Sequence, residues 1–404
     1  MSTLPAPSDV RPDDVHRVHD WAREHRDHLV DDLVALVEQE TPSDDPDLLA
    51  KGLAHVEAWV ERRLGPARRR VLHEDERHGA TVVLDYPGTS PRLIVGLGHY
   101  DTVFDAGTLA EWPVSVDGDR ISGPGVFDMK GGLVQMVWAM RALDALNLPR
   151  PQMRLVINGD EEIGSPFSRP VIEESVTGAT AVFVFEGSAA GGAVKTARKG
   201  VGLFDIVVSG VEAHAGLDPL AGASAIGEIA SAVTALHDAA DLDAGTSINV
   251  GVLSGGRRRN VVAGSAIAGV DVRVATLEEQ QRVDQLLASL RPQDPRVTLS
   301  VGGDWNRPVM TRTAEVAHLY TLARTVATEL GIDLQEASVG GASDGNFVAA
   351  LGIPVLDGLG AVGEGAHARH EAISVDGMIE RTALAAGLLT TFAHAGASRA
   401  VEPS

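Results

Sequence analysis

LIVGLGHYDTV, residues 93–103, carries the decision about the fold. Residues 93–98 are apolar on both faces of an extended chain, and the chain then turns polar at His99, Asp101 and Thr102. A strand covered on both sides reads this way, so 93–98 is expected to lie at the centre of a sheet with helices over both faces. The same grammar recurs downstream. An apolar run at 153–158 leads into GDEEIGS (159–165), and another at 181–185 leads into Glu186-Gly187. Upstream, short β-like runs at 70–73 and 81–86 follow helices expected over 13–40 and 48–63. In the first helix Val30, Leu33, Val34 and Val37 share a face, while His16, His19, His25 and His28 sit among Arg and Asp and read as a solvated face. A helix is expected after Gly131-Gly132, and a short one follows the strand at 153–158. Beyond 307 come a long helix, a Gly-rich loop, a strand at 353–356 and a final helix. Strands alternating with helices point to an α/β catalytic domain with a mixed, largely parallel sheet.

The middle of the chain is organised differently. Strands are expected at 201–209, 247–253, 265–274 and 296–301, with helices at 223–237 and 276–290, the second opened by a Thr-x-x-Glu capping signal. The order β-α-β-β-α-β is the split, ferredoxin-like pattern of an α+β domain. The expected organisation is therefore a first part of the catalytic domain over 1–198, an inserted domain over 199–306, and the second part of the catalytic domain over 307–404. A chain of 404 residues exceeds one ordinary core, which agrees with two domains.

Composition narrows the function. Hydrophobic residues make up 44% and charged residues 22%, a soluble globular profile. The formal charge of -22 opposes a phosphate backbone, so small molecules rather than nucleic acid are the expected partners. There is no cysteine, which excludes disulfides, thiolate nucleophiles and iron–sulfur clusters; a metal would have to be held by His, Asp and Glu. The opening MSTLPAPSDV has no basic and apolar leader pattern, and no apolar run is long enough to span a bilayer. No membrane partner is expected, and a cytoplasmic location is the default.

Sites in open α/β sheets form at the carboxyl ends of strands, and each buried run here ends in polar residues. His99 is a good ligand for borderline metals, and Asp101 could accept its other N–H. In GPGVFDMKGG (123–132) the glycines allow unusual backbone angles around one carboxylate, Asp128, whose two oxygens could bridge two cations. Asp160, Glu161 and Glu162 crowd three acids at the end of a buried strand, which is costly unless cations compensate. Glu186 follows the next strand. GPGVFDMKGG lacks both the Walker and the Gly-x-Gly-x-x-Gly patterns, so a nucleotide site is set aside.

Taken together, GHYDTV, GPGVFDMKGG, GDEEIGS, FEGS, ARKG, VEAHAG, RRNVV, GGASDGNF and GAHARHEAI resemble the M20 family of metallopeptidases, and within it the glutamate-carboxypeptidase-like members. The resemblance spans nearly the whole chain. It implies two divalent ions, typically zinc, with cobalt or manganese also suited to nitrogen and oxygen donors. It implies that Asp128 bridges the ions, that His99 and Glu186 hold one, and that Glu162 and a late His hold the other. That ligand usually stands four residues before a Glu, which favours His367 over His370. Glu161 is implied as general base and Asp101 as the support of His99. His214, in VEAHAG, is implied to reach the active site from the partner subunit's inserted domain, so the inserted domain dimerises and closes over substrate, and a homodimer is expected. Asn260 and Arg273 match positions that look towards substrate; Arg307 and the backbone at Gly341 are further candidates for the substrate carboxylate. A salt bridge within the inserted domain is the alternative for Arg273.

The implied activity is hydrolysis of an amide or peptide bond next to a free carboxylate, releasing a C-terminal amino acid from a small peptide or N-acyl amino acid. An aminoacylase or dipeptidase on the same fold is the alternative. A non-catalytic binder of amino-acid conjugates is a reading from another class; Glu161 and the five expected ligands argue against it.

Overall fold

The strand expected at 93–98 extends over Ser90–His99 and lies inside a six-stranded sheet. The computed structural model describes residues 4–397. Its sheet runs Arg69–His73, Gly79–Tyr86, Pro151–Gly159, Ser90–His99, Ala181–Val184, Val355–Leu356. The last four strands are mutually parallel, and Gly79–Tyr86 is antiparallel to both of its neighbours, so the sheet is mixed and largely parallel.

Register explains why polar clusters gather. Leu97 stands opposite both Val156 and Val184, and His99 opposite Asn158. Three buried strands therefore end level with one another, and the residues that follow them emerge side by side at one edge of the sheet.

Each face is covered. A Cβ at Gly96 would meet Met136 Sδ at 2.6 Å, and one at Gly98 would meet Leu133 at 2.8 Å, so the helix Gly131–Ala145 lies against this face too closely for side chains at those positions. The helix Val375–Ala397 packs on the same helix and on Ser90–His99. On the opposite face the Asn158 amide donates to Ser168 Oγ (3.1 Å), at the start of the helix Ser168–Ser175, and to Asp344 (2.9 Å), just before Gly345–Ala350. Among the described residues no helix is long and apolar enough to cross a membrane.

The helix expected over 13–40 is two helices, Pro12–Glu24 and Arg26–Val37. They part at His25, whose ring nitrogen Nδ1 lies 2.8 Å from Trp21 O and whose ring stacks on Trp21. A side chain bonding to the carbonyl four residues back bends a helix, an effect invisible to apolar periodicity. Periodicity also misses a four-stranded sheet built from Ser115–Asp117, Arg120–Ser122, Gly363–Glu364 and Ala372–Ser374, each too short to show a pattern. That sheet pairs Ala372 with Ser122 and so joins the late segment to the loop of Asp128.

The chain divides into two compact units, one containing the six-stranded sheet and the other made of Arg198–Thr311 with Gly340–Ala342. In the second unit the strands Gly200–Ser209, Ser247–Gly255, Ser265–Val274 and Thr298–Arg307 form an antiparallel sheet with Ser247–Gly255 at one edge and Thr298–Arg307 at the other. Numbered in chain order the strands stand 2-3-1-4, the ferredoxin-like arrangement. The helices Ala225–Asp238 and Leu277–Ser289 pack on it; Ile206, Val208, Val270, Val272, Ile229 and Val283 share its core. Thr276 caps the second helix, its hydroxyl accepting from Glu279 N at 3.2 Å. The strand expected at 296–301 spans Thr298–Arg307 and passes through Gly302-Gly303, whose low strand propensity hides its second half from the pattern.

Candidate metal centre

His99 is the last residue of its strand and is 1% exposed. Its Nε2 lies 3.2 Å from Asp128 Oδ1 and 3.5 Å from Glu186 Oε1. The other oxygen of Asp128, Oδ2, lies 3.3 Å from His367 Nε2, which is 3.0 Å from Glu162 Oε2. Two donor triads result, His99–Asp128–Glu186 and Asp128–Glu162–His367, joined through the two oxygens of one carboxylate.

Local structure delivers each donor. Asp128 sits in the irregular turn Val126–Lys130, with extended backbone (φ −120°, ψ 92°) and a cis bond to Met129. The helix that follows is pressed against the end of the strand Ala181–Val184: a Cβ on Gly132 would lie 1.8 Å from Phe185 O. The Asp128 turn and Glu186 are held together by that close approach. Glu162 lies in the single turn Glu161–Ile163 after Pro151–Gly159. His367 adopts a left-handed backbone (φ 63°) in the hairpin connecting Gly363–Glu364 to Ala372–Ser374, a conformation that costs a non-glycine residue about 1 kcal/mol or more and persists only where the surroundings enforce it.

The residues fit divalent ions. Bonds of 2.0–2.1 Å at tetrahedral angles set neighbouring donors about 3.3 Å apart, which is the spacing found here. Glu162 Oε1 is buried with no hydrogen-bond partner, an orphaned acceptor. Three carboxylates bring three negative charges, one fewer than two divalent ions carry. The titration behaviour agrees. Burial works against a charged His99, yet Asp101, Asp128 and Glu186 raise it well above its ordinary value. Hydrogen bonds to Asp128 and Glu162 hold His367 up at about 10. Burial pushes Glu162 up to about 7. Burial also acts to raise Asp128, but His367 and His99 against its two oxygens outweigh this and hold it well below the usual carboxylate range. Ions bound by these imidazoles would compete with protons for the same ring nitrogens.

Asp101 is fully buried beneath this cluster. His99 Nδ1 lies 3.0 Å from its carbonyl oxygen and 3.3 Å from Oδ1. The same carboxylate accepts from the backbone N–H of Glu161 (3.3 Å) and Glu162 (3.2 Å), and from Ser43 Oγ (2.8 Å). One residue, through its carbonyl and its carboxylate, thus orients a ligand on one strand end and the acidic turn on another. Ser43 had no signal in the sequence: it lies far from the motifs and is brought in by a bridge between Pro42 and Thr102. Lys130 is 3% exposed, donates to Gln39 O at 2.7 Å, and is lowered to about 8 by burial. Its place inside GPGVFDMKGG was the available signal. His370 does not join either triad.

The other expected residues belong to the second unit. His214 is exposed, and its Nδ1 accepts from the backbone N–H of Gly216 (3.1 Å) and Leu217 (3.0 Å). Two donors on Nδ1 fix the tautomer that carries its proton on Nε2. Asn260 is exposed, and its carbonyl accepts from Ala215 N at 2.9 Å, tying it to the His214 turn. Arg273 forms a two-point ion pair with Asp271, both distances 2.8 Å, which is the alternative kept open for it. Arg307 is buried at the end of its strand. Gly341 is exposed and its carbonyl accepts from Arg198 at 3.0 Å.

Comparison with known proteins gives a consistent picture. The profile of Peptidase family M20/M25/M40 matches residues 97–391. Carboxypeptidase G2 of Pseudomonas sp. (strain RS-16) is 27% identical over 374 residues, covering 91% of this chain and 90% of that protein. Acetylornithine deacetylase of Myxococcus xanthus is 29% identical over 278 residues, covering 65% and 70%. The crystal structure of aminopeptidase PepT from Bacillus cereus superimposes with a TM-score of 0.73 at 21% identity, covering 91% of this chain and 99% of that one, a likeness of fold.

Proposed function

The chain belongs to peptidase family M20/M25/M40 and is a hydrolytic enzyme, and from that premise we propose that it cleaves an amide or peptide bond next to a free carboxylate, with two divalent ions at the joined triads. The observation that carries this reading is the sharing of Asp128, one oxygen towards His99 and the other towards His367. Zinc suits the donor set best, with cobalt and manganese as substitutes.

His99, Asp128 and Glu186 would hold one ion, and Asp128, Glu162 and His367 the other. Bound there, the ions supply Lewis acidity, lowering the pKa of water towards neutrality and polarising the scissile carbonyl. The M20 resemblance implies Glu161, beside the proposed ligand Glu162 in the turn after the buried strand, as the group that accepts the proton of the attacking water and returns it to the leaving amine. His214, with its proton on Nε2, is a neutral donor suited to the oxyanion of the tetrahedral intermediate. In this reading it comes from the partner subunit in a homodimer. Arg307, Asn260 and the backbone at Gly341 are the proposed grip on the substrate carboxylate.

The similarity to carboxypeptidase G2 across nine-tenths of both chains supports release of a C-terminal amino acid. The similarity to acetylornithine deacetylase favours a second reading, an N-acyl amino acid amidohydrolase using the same centre. A panel of dipeptides and N-acyl amino acids, assayed with zinc, cobalt or manganese, separates them. Wild type is expected to liberate a free amino acid, and Glu161→Ala to lose about 10²- to 10⁴-fold in kcat while retaining both ions. Full activity in Glu161→Ala would remove the proposed base.

A further inference from the structure

Glu371 is fully buried four residues beyond His367, and its carboxylate points at the loop of Asp128. Oε1 accepts from the backbone N–H of Phe127 (2.7 Å) and of Asp128 itself (3.0 Å), and Oε2 accepts from Gly125 N (3.1 Å). The main chain of Glu371 completes the junction: its carbonyl accepts from Gly123 N (3.3 Å) and Ser122 Oγ (3.0 Å). The turn it grips has no helical or strand ladder at Asp128 to fix it. Backbone N–H groups converging on one point form an anion-binding nest, and here the anion is a side chain of the protein.

That arrangement does more than satisfy three donors. Asp128 is common to both triads, while His367 belongs only to the second and rides on the same hairpin as Glu371. One carboxylate therefore spans the two segments that must meet to close the Asp128–Glu162–His367 triad. The first triad has further ties independent of it: His99 ends a central strand, and Glu186 follows another. An amide at position 371 would keep the shape but replace one acceptor by an N–H₂ group facing N–H donors, leaving buried donors unmet.

We propose that Glu371 is a positioning residue of the metal centre, setting the distance between Asp128 and His367 so that the second triad closes around its ion. The proposal rests on the two-ion reading above. Full-length protein stripped with chelator would be titrated with cobalt(II), following visible absorbance and bound stoichiometry, for wild type, Glu371→Gln and Glu371→Asp, with thermal unfolding of each metal-free form alongside. Wild type is expected to take two equivalents. Glu371→Gln is expected to weaken the second equivalent about 10- to 100-fold more than the first, with an altered cobalt spectrum. Should Glu371→Gln not fold, Glu371→Asp, which keeps the charge but shortens the reach, is expected to show the same ordering. Equal loss of both equivalents in step with a lowered unfolding midpoint would mean general support of the fold and overturn the proposal, as would two equivalents bound as in wild type. A wild type that binds fewer than two equivalents would instead strike the two-ion reading itself, and the role of Glu371 with it.

Discussion

The strand-end cluster of the first unit and the His214 turn of the second meet opposite demands. At the strand ends, His99, Asp101, Asp160 and Glu371 are at most 1% exposed, and every charge must be balanced by a neighbour or an ion. In the second unit His214 and Asn260 stand in solvent, where water satisfies whatever a partner does not. Burial surrounds most of the first cluster with fixed partners, although His367, one of its five donors, is exposed. Exposure leaves the second free to be completed by substrate or by another subunit. The donors proposed to hold metal come largely from buried ends of the sheet, whereas His214 and Asn260, proposed to meet substrate, lie on exposed turns.

The widest test of that contrast is His214→Gln. It removes an exposed side chain that supports nothing around it except its own turn, so the metal-free and metal-loaded unfolding midpoints should be unchanged. If His214 is the oxyanion donor, kcat falls about 10²- to 10³-fold with KM little altered. A loss confined to KM would place it in binding rather than in the reaction.

The strand-end cluster predicts a pH dependence of smaller size. Asp128 and Glu162 hold His367 up at about 10 in the metal-free chain, so below that pH a proton occupies the place of an ion. Acid favours the proton, and rising pH favours the ion. Apparent cobalt affinity should therefore increase up to about tenfold per pH unit for each proton displaced, as pH rises towards about 10. Titrations at pH 6, 7 and 8 check the sign, and an affinity independent of pH would mean that no imidazole proton is displaced.

The smallest effect is expected for Arg273→Ala. Its ion pair with Asp271 is about one-third exposed on both sides and contributes about 1 kcal/mol or less. With the guanidinium committed to Asp271, KM should barely move. A tenfold or larger rise in KM would show that substrate recruits Arg273 away from Asp271, and would make the exposed region more specific than its geometry suggests.

Much of the fold was legible because it is written in burial. Runs such as 93–98 and 153–158 are apolar on both faces for the reason that helices cover both faces, and the ferredoxin-like order of the second unit followed from alternation and a Thr276 cap. What escaped the reading has physical causes. The break at His25 depends on a side-chain hydrogen bond, the strand at Thr298–Arg307 passes through two glycines, and the sheet joining Arg120–Ser122 to Ala372–Ser374 is made of segments shorter than any period. The same limit applies to the site. His99, Asp128, Glu162, Glu186 and His367 each stand in a motif at or near a strand end, and the structure brings them together. Ser43 and the grip of Glu371 on the Asp128 turn arise from tertiary contacts between segments 58 and more residues apart. On the exposed unit, sequence offered Arg273 two roles of equal merit, and its contact with Asp271 takes up one of them.

The central claim is that two ions at the joined triads drive hydrolysis. The most direct measurement is activity of the chelator-stripped chain, on the best substrate of the panel, as zinc is added back with bound metal counted in parallel. The account predicts no activity without metal, a maximum at two equivalents per chain, and no recovery in Asp128→Asn, which removes the carboxylate both triads share. Full activity at zero or one equivalent, or metal-restored activity in Asp128→Asn, would contradict it.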